Sequence, residues 1–162
     1  MKNTGATSEE TFRKLILELT WWTITALVTL LVILPVHQNS SDYPFLFSNA
    51  FFTVSFITLV RYIFFLKYTF IAKRQYIKLV LIFLCIPLVF SLISHLNYFI
   101  TYIDEKAAES FLLDMPPTKT NRIVSYLKTE MILFGVGSII AGIIFPFRML
   151  RSIWRYRNRG IV

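Results

Sequence analysis

The sequence predicts an all-α integral membrane protein, a bundle of four transmembrane helices. Three observations lead there. Four apolar stretches, roughly 15–34, 45–66, 79–103 and 131–147, occupy more than half of the 162 residues. Each is about 17–25 residues long, the length a helix rising about 1.5 Å per residue needs to cross a hydrocarbon core of roughly 30 Å. The composition is 56% hydrophobic with a mean hydropathy of +0.61, outside the balance of a soluble domain. The apolarity is continuous and does not alternate, which excludes barrel strands, and in lipid a helix satisfies its own backbone groups. The spans and the connections between them leave no room for an independent soluble domain, so 1–162 reads as one transmembrane domain.

The first span follows Arg13 and Lys14. It is too long for a signal-peptide core, and Pro35, Val36, His37, Gln38 and Asn39 offer no small-residue cleavage site, so it reads as an uncleaved helix. Glu18, Trp22, Thr25 and Thr29 are spaced by four, three and four residues. They form a polar stripe expected to face protein rather than lipid. The connection 35–44 is short, which makes the first two helices antiparallel neighbours. Asn39–Ser40–Ser41 within it matches a glycosylation sequon, a weak signal.

The second span carries Arg61, one to two turns from the same membrane face as Glu18. Ionisable groups at membrane depth are read as functional by default. A Glu18–Arg61 ion pair would lower the cost of burying both charges. Two other readings stand beside it: independent snorkelling to the headgroups, and an ion- or proton-handling role. The many phenylalanines, several on this helix, suggest a broad surface for lipid or partners.

The third span contains Pro87, expected to kink it, and a second polar stripe: Ser91, Ser94, His95, Tyr98, Thr101 and Tyr102. His95 and His37 lie at broadly similar depth. Two histidines from two helices can ligate a haem or a metal, or hydrogen-bond a quinone near His95. A histidine on a polar helix face is also an ordinary packing residue. No metal-ligand spacing occurs.

The segment 104–130 is expected on the outer surface. Asp104–Asp114 reads as a short helix stopped at Pro116–Pro117, after which Thr120 or Asn121 caps a new helix running into the fourth span. That span holds Gly135, Gly137, Ser138, Ala141 and Gly142. Gly135, Ser138 and Gly142 are helix-packing candidates, since small residues let another helix approach closely. Pro146 is expected to end or kink the span. The tail 148–162 then forms a basic amphipathic helix. Phe147, Leu150, Ile153 and Trp154 share one face, while Arg148, Arg151 and Arg155 face anionic lipid headgroups at the inner surface.

Charge gives the orientation. The formal net charge is +8. Twelve of the seventeen Lys and Arg lie before the first span, between the second and third, and after the fourth. Four lie in 104–130, none lies in 35–44, and Arg61 is the last. The positive-inside rule then places both termini in the cytoplasm, in a plasma membrane or bacterial inner membrane. The same bias accounts for the basic surplus without a nucleic-acid partner. The lone cysteine, Cys85, excludes an internal disulfide.

Function is less legible. No nucleophile–base set, phosphate loop or metal cluster can be read, and a catalytic role is not expected. The favoured expectation is a non-catalytic accessory or structural subunit of a larger membrane complex, contacting other integral membrane subunits or copies of itself. The alternatives are a small oligomeric transporter or channel using Glu18 and Arg61, and a haem-, quinone- or lipid-binding membrane enzyme centred on His95.

Overall fold

The computed structural model describes residues 4–39, 43–106 and 117–159. The described residues are helical almost throughout. Four long helices, α1 (Thr4–Asn39), α2 (Leu46–Phe65), α3 (Gln75–Lys106) and α4 (Pro117–Arg159), are joined between α2 and α3 by two short 3-10 turns, Leu66–Tyr68 and Phe70–Lys73. All four are long and apolar enough to cross a membrane.

The helices outrun the apolar stretches at most ends. α1 continues through Pro35 to Asn39, α3 through Pro87 to Lys106, and α4 through Pro146 to Arg159. The basic tail is therefore not a separate amphipathic helix, as the sequence had suggested. It is the last three turns of α4. Nor does Thr120 or Asn121 cap a new helix: α4 begins at Pro117, where a missing N–H costs nothing. Of the helix expected over Asp104–Asp114, residues 104–106 complete α3 and the remainder lies outside the described residues.

Packing follows from which helix carries small residues. α4 lies between α2 and α3 and packs against both, while α1 leans mainly on α2. A Cβ on Gly135 would meet Leu96 of α3 at 2.9 Å. On Gly137 it would meet Phe56 of α2 at 2.8 Å, and on Gly142 Val89 of α3 at 2.6 Å. The buried stripe of α4, Leu127, Met131, Gly135, Ser138, Gly142, Phe145, Met149 and Ser152, advances by three or four residues each time. That is the repeat of a helix seam.

Two apolar clusters divide the core along its length. One sits at the α1–α2 connection end, around Val36, Phe45, Phe52, Leu96, Phe99, Leu127 and Met131. The other sits at the α2–α3 connection end, around Leu59, Leu66, Cys85, Ala141, Phe145 and Met149. Phe45 and Phe52 are fully buried, so the aromatic face of α2 is only in part a surface for lipid or partners; Phe47 and Phe64 remain outside.

Candidate functional site

A helix bundle in lipid has little hydrophobic drive between its members, so buried polar groups show where specificity resides. Three charged side chains are buried among the described residues: Arg61, Lys78 and Glu130.

Arg61 lies on α2 one turn before its end. Its Nη2 is 2.5 Å from Glu18 Oε2 on α1, and the two side chains are 5% and 17% exposed. The guanidinium also lies 5.8 Å from the Trp21 ring centre and 5.3 Å from that of Tyr62, within cation–π range. The face of α1 turned to α2 therefore runs through Trp21, which also packs on Phe65, with ring centres 5.4 Å apart. Trp22, placed on the protein-facing stripe by spacing, is 52% exposed, whereas Thr25 of that stripe is buried. Thr25 and Thr29 satisfy their hydroxyls on the carbonyls of Trp21 and Thr25, four residues back. Beside Arg61 is a cavity of about 290 Å³ lined by Leu17, Trp21, Phe65, Tyr68 and Thr69.

Lys78 opens α3 at the same end of the bundle. Its ammonium donates to the Ala72 carbonyl (2.5 Å), to Gln75 Oε1 (3.2 Å) and to Ser152 Oγ on α4 (2.9 Å). Nearby, Arg148 Nε donates to the Ile63 carbonyl in the last turn of α2, 2.9 Å away. Arg148 thus caps a helix of its own bundle. Arg151 is exposed and Arg155 half-buried.

His95 is half-buried on α3, with Nδ1 3.1 Å from Ser48 Oγ of α2. The Phe51 and Phe47 rings flank it, 5.7 and 6.5 Å away between centres. Of its stripe, Ser94 and Tyr98 are exposed, and Ser91 and Tyr102 are half-buried; Tyr102 packs on Phe45. His37 is exposed in the last turn of α1. No group of three or more His, Cys, Asp or Glu is gathered for a metal among the described residues.

The small residues of α4 are taken up inside the chain. Ser138 is fully buried and bonds the Gly135 carbonyl, and the Cys85 thiol of α3 donates to the Gly142 carbonyl at 3.1 Å. The helices that approach this face closely are α2 and α3 of the same chain.

Glu130 is the residue sequence reasoning missed. Starting the fourth span at Met131 left it in the outer segment 104–130; it is in fact 5% exposed, on the core side of α4. Asn49 of α2, 1% exposed, adjoins Glu130 and Tyr43. Among the described residues, the Thr53 hydroxyl one turn further along α2 has no hydrogen-bond partner. Burial first, and then the Glu130 carboxylate, push the Tyr43 phenol above its ordinary value. The signal that could have found Glu130 is the α4 seam, which continues back from Met131 to Leu127 and brackets it.

No protein-family model, no curated protein and no solved structure matches this chain.

Proposed function

We propose that this chain is a multi-pass membrane protein with both termini and the α2–α3 connection in the cytoplasm. We propose further that it serves as a non-catalytic subunit of a larger membrane complex. The orientation rests on the Lys/Arg bias, twelve of seventeen, toward that side. One observation carries the role: the polar groups at the cytoplasmic end join helix to helix instead of converging on a shared chamber. Glu18 joins Arg61, Lys78 joins Ser152 and the turn carbonyl, and Arg148 joins Ile63. Groups committed to each other in this way fix the arrangement of α1 to α4. They leave the apolar outer faces, such as Leu19, Leu27 and Leu31 of α1, for lipid or neighbouring subunits.

Gentle extraction into native-lipid particles, followed by mass spectrometry and an absorption spectrum, tests this reading. A second integral membrane protein in fixed stoichiometry is the expected result. Recovery of this chain alone as a self-oligomer would overturn it in favour of a small transporter. A visible chromophore lost on His95→Ala would overturn it in favour of a cofactor enzyme.

A further inference from the structure

One buried ionisable group stands outside that pattern. Arg61 has Glu18 and Lys78 has Ser152, but no cation lies against the Glu130 carboxyl among the described residues. Its side chain is 5% exposed, and its hydrogen-bond partner is the Asn49 side chain of α2, 1% exposed, which also bonds the Tyr43 phenol. One amide thus ties the connection before α2 to the core side of α4. Tyr126, one turn back on α4, adds α1: its hydroxyl donates to the Val32 carbonyl at 3.1 Å.

Among the described residues, none of the packed elements brings a positive charge to this cluster. On α4 the Lys128 ammonium lies 3.8 Å from Asp104 of α3, at the exposed surface. α3 otherwise packs Leu96, Phe99 and Ile103 here and α1 packs Val36, all apolar, while His37 is exposed. Burial first, and then Glu130, hold Tyr43 above its ordinary value, so that phenol stays neutral. An ionised Glu130 would leave an uncompensated charge among apolar side chains, the costliest state for a buried group. A carboxylate only accepts hydrogen bonds, whereas a neutral carboxyl, like the amide of Asn49, both donates and accepts. The neutral form therefore matches its partner and carries no charge.

We infer that Glu130 is a proton-binding site, and that its neutral carboxyl clasps Asn49 to close the α1–α2 connection end of the bundle. Glu130 lies between Leu127 and Met131, which are fully buried with Phe45 and Phe52 in the core of that end. Releasing the proton strands a charge within this packing and loosens α4 from Asn49 and Tyr43. The packed bundle favours the proton; the unfolded chain, whose carboxyl meets water or headgroups, does not. The stabilisation is therefore full below the ordinary glutamate value of about 4.3 and is lost as pH rises beyond it.

The test uses the protein as extracted, with whatever co-purifies, in lipid nanodiscs from about pH 5 to about pH 9, all above the unperturbed carboxyl value. Infrared absorption reads the carbonyl stretch of a neutral carboxyl, and isotope-labelled glutamate assigns it to glutamic acid. A neutral glutamic acid stretch should be present at the acid end, fade as pH rises and be missing from Glu130→Gln, which keeps the shape. The unfolding equilibrium constant, from melting curves, should rise over the same interval by up to about tenfold per pH unit, the slope of one proton. Glu130→Gln should lose most of that slope. No neutral glutamic acid stretch in the unsubstituted protein would overturn the site, whether or not the variant folds. A stretch and a slope kept at full size in Glu130→Gln would overturn it too, and a stability that does not follow the stretch would overturn the clasp. The subunit reading fails separately, on the composition of the extracted particle.

Discussion

The Glu18–Arg61 pair can be weighed with a double-mutant cycle. The variants are Glu18→Leu, Arg61→Leu and the two together. Arg61 is 5% exposed and its partner 17%, so neither charge reaches bulk water once alone. Breaking a buried pair costs about 3–5 kcal/mol in soluble proteins, because the surviving charge is stranded. Two features lower that figure here. Trp21 and Tyr62 give a stranded Arg61 about 1 kcal/mol of cation–π attraction, and Glu18 lies within a turn of the start of the apolar stretch, close enough to turn toward headgroups. Each single change should therefore cost about 2–4 kcal/mol, and the double replacement, which leaves no charge behind, about 0–2 kcal/mol. The resulting coupling is at least about 2 kcal/mol, several times the roughly 0.5 kcal/mol within which independent changes add. The assay is reversible unfolding in mixed micelles, titrated with dodecyl sulfate and followed by tryptophan fluorescence. Trp21 lies against the Arg61 guanidinium and reports the site directly. Losses that simply add would mean two charges solvated independently, and the reasoning from burial would fail.

Three further outcomes are expected. Gly142→Leu should destabilise the bundle by about 1–3 kcal/mol or more, since even a Cβ there meets Val89 at 2.6 Å; unchanged unfolding would show that α3 gives way freely. Lys78→Met should cost about 1–3 kcal/mol by leaving the Ala72 carbonyl and Ser152 hydroxyl without their donor, and Ser152→Ala less than about 1 kcal/mol, both read in the same titration. Single cysteines at positions 75 and 158 should resist a membrane-impermeant thiol reagent in whole cells, while one at position 40 should react; external labelling at 75 would reverse the orientation.

The four spans could be read from hydropathy because lipid leaves few alternatives to a helix, and the shared depth of Glu18 and Arg61 pointed to each other. What escaped the reading was the position of charge relative to a packing seam. Glu130 looked like a loop residue because hydropathy drops at a carboxylate, although the three-and-four spacing of α4 runs straight past it. Spacing from Glu18 suits Trp21 and Trp22 alike within one helical step, and only contact with Phe65 and Arg61 decides for Trp21. Pro35 and Pro146 read as helix ends for a related reason. A proline removes one backbone hydrogen bond, but continuous apolar surface on both sides keeps the helix going. Small residues on α4 announced a close approach without naming the neighbour, and that neighbour proved to be α3 and α2 of the same chain.

α4 has a mechanical consequence. Its 43 residues make one continuous helix of about 64 Å, about twice the thickness of a bilayer's hydrocarbon core. Set across a bilayer, a helix of that length would act as a shaft reaching beyond both faces. A tilt of about 10° about its midpoint would swing each tip by roughly 5–6 Å in opposite directions, given that length. Anything that gripped the Thr120 end would then be geared to anything that gripped the Arg155 end. Gly142, Ser138 and Gly135, in close contact with α3 or buried at mid-length, would be the pivot of such a tilt, and the Lys78 and Arg148 hydrogen bonds would resist it.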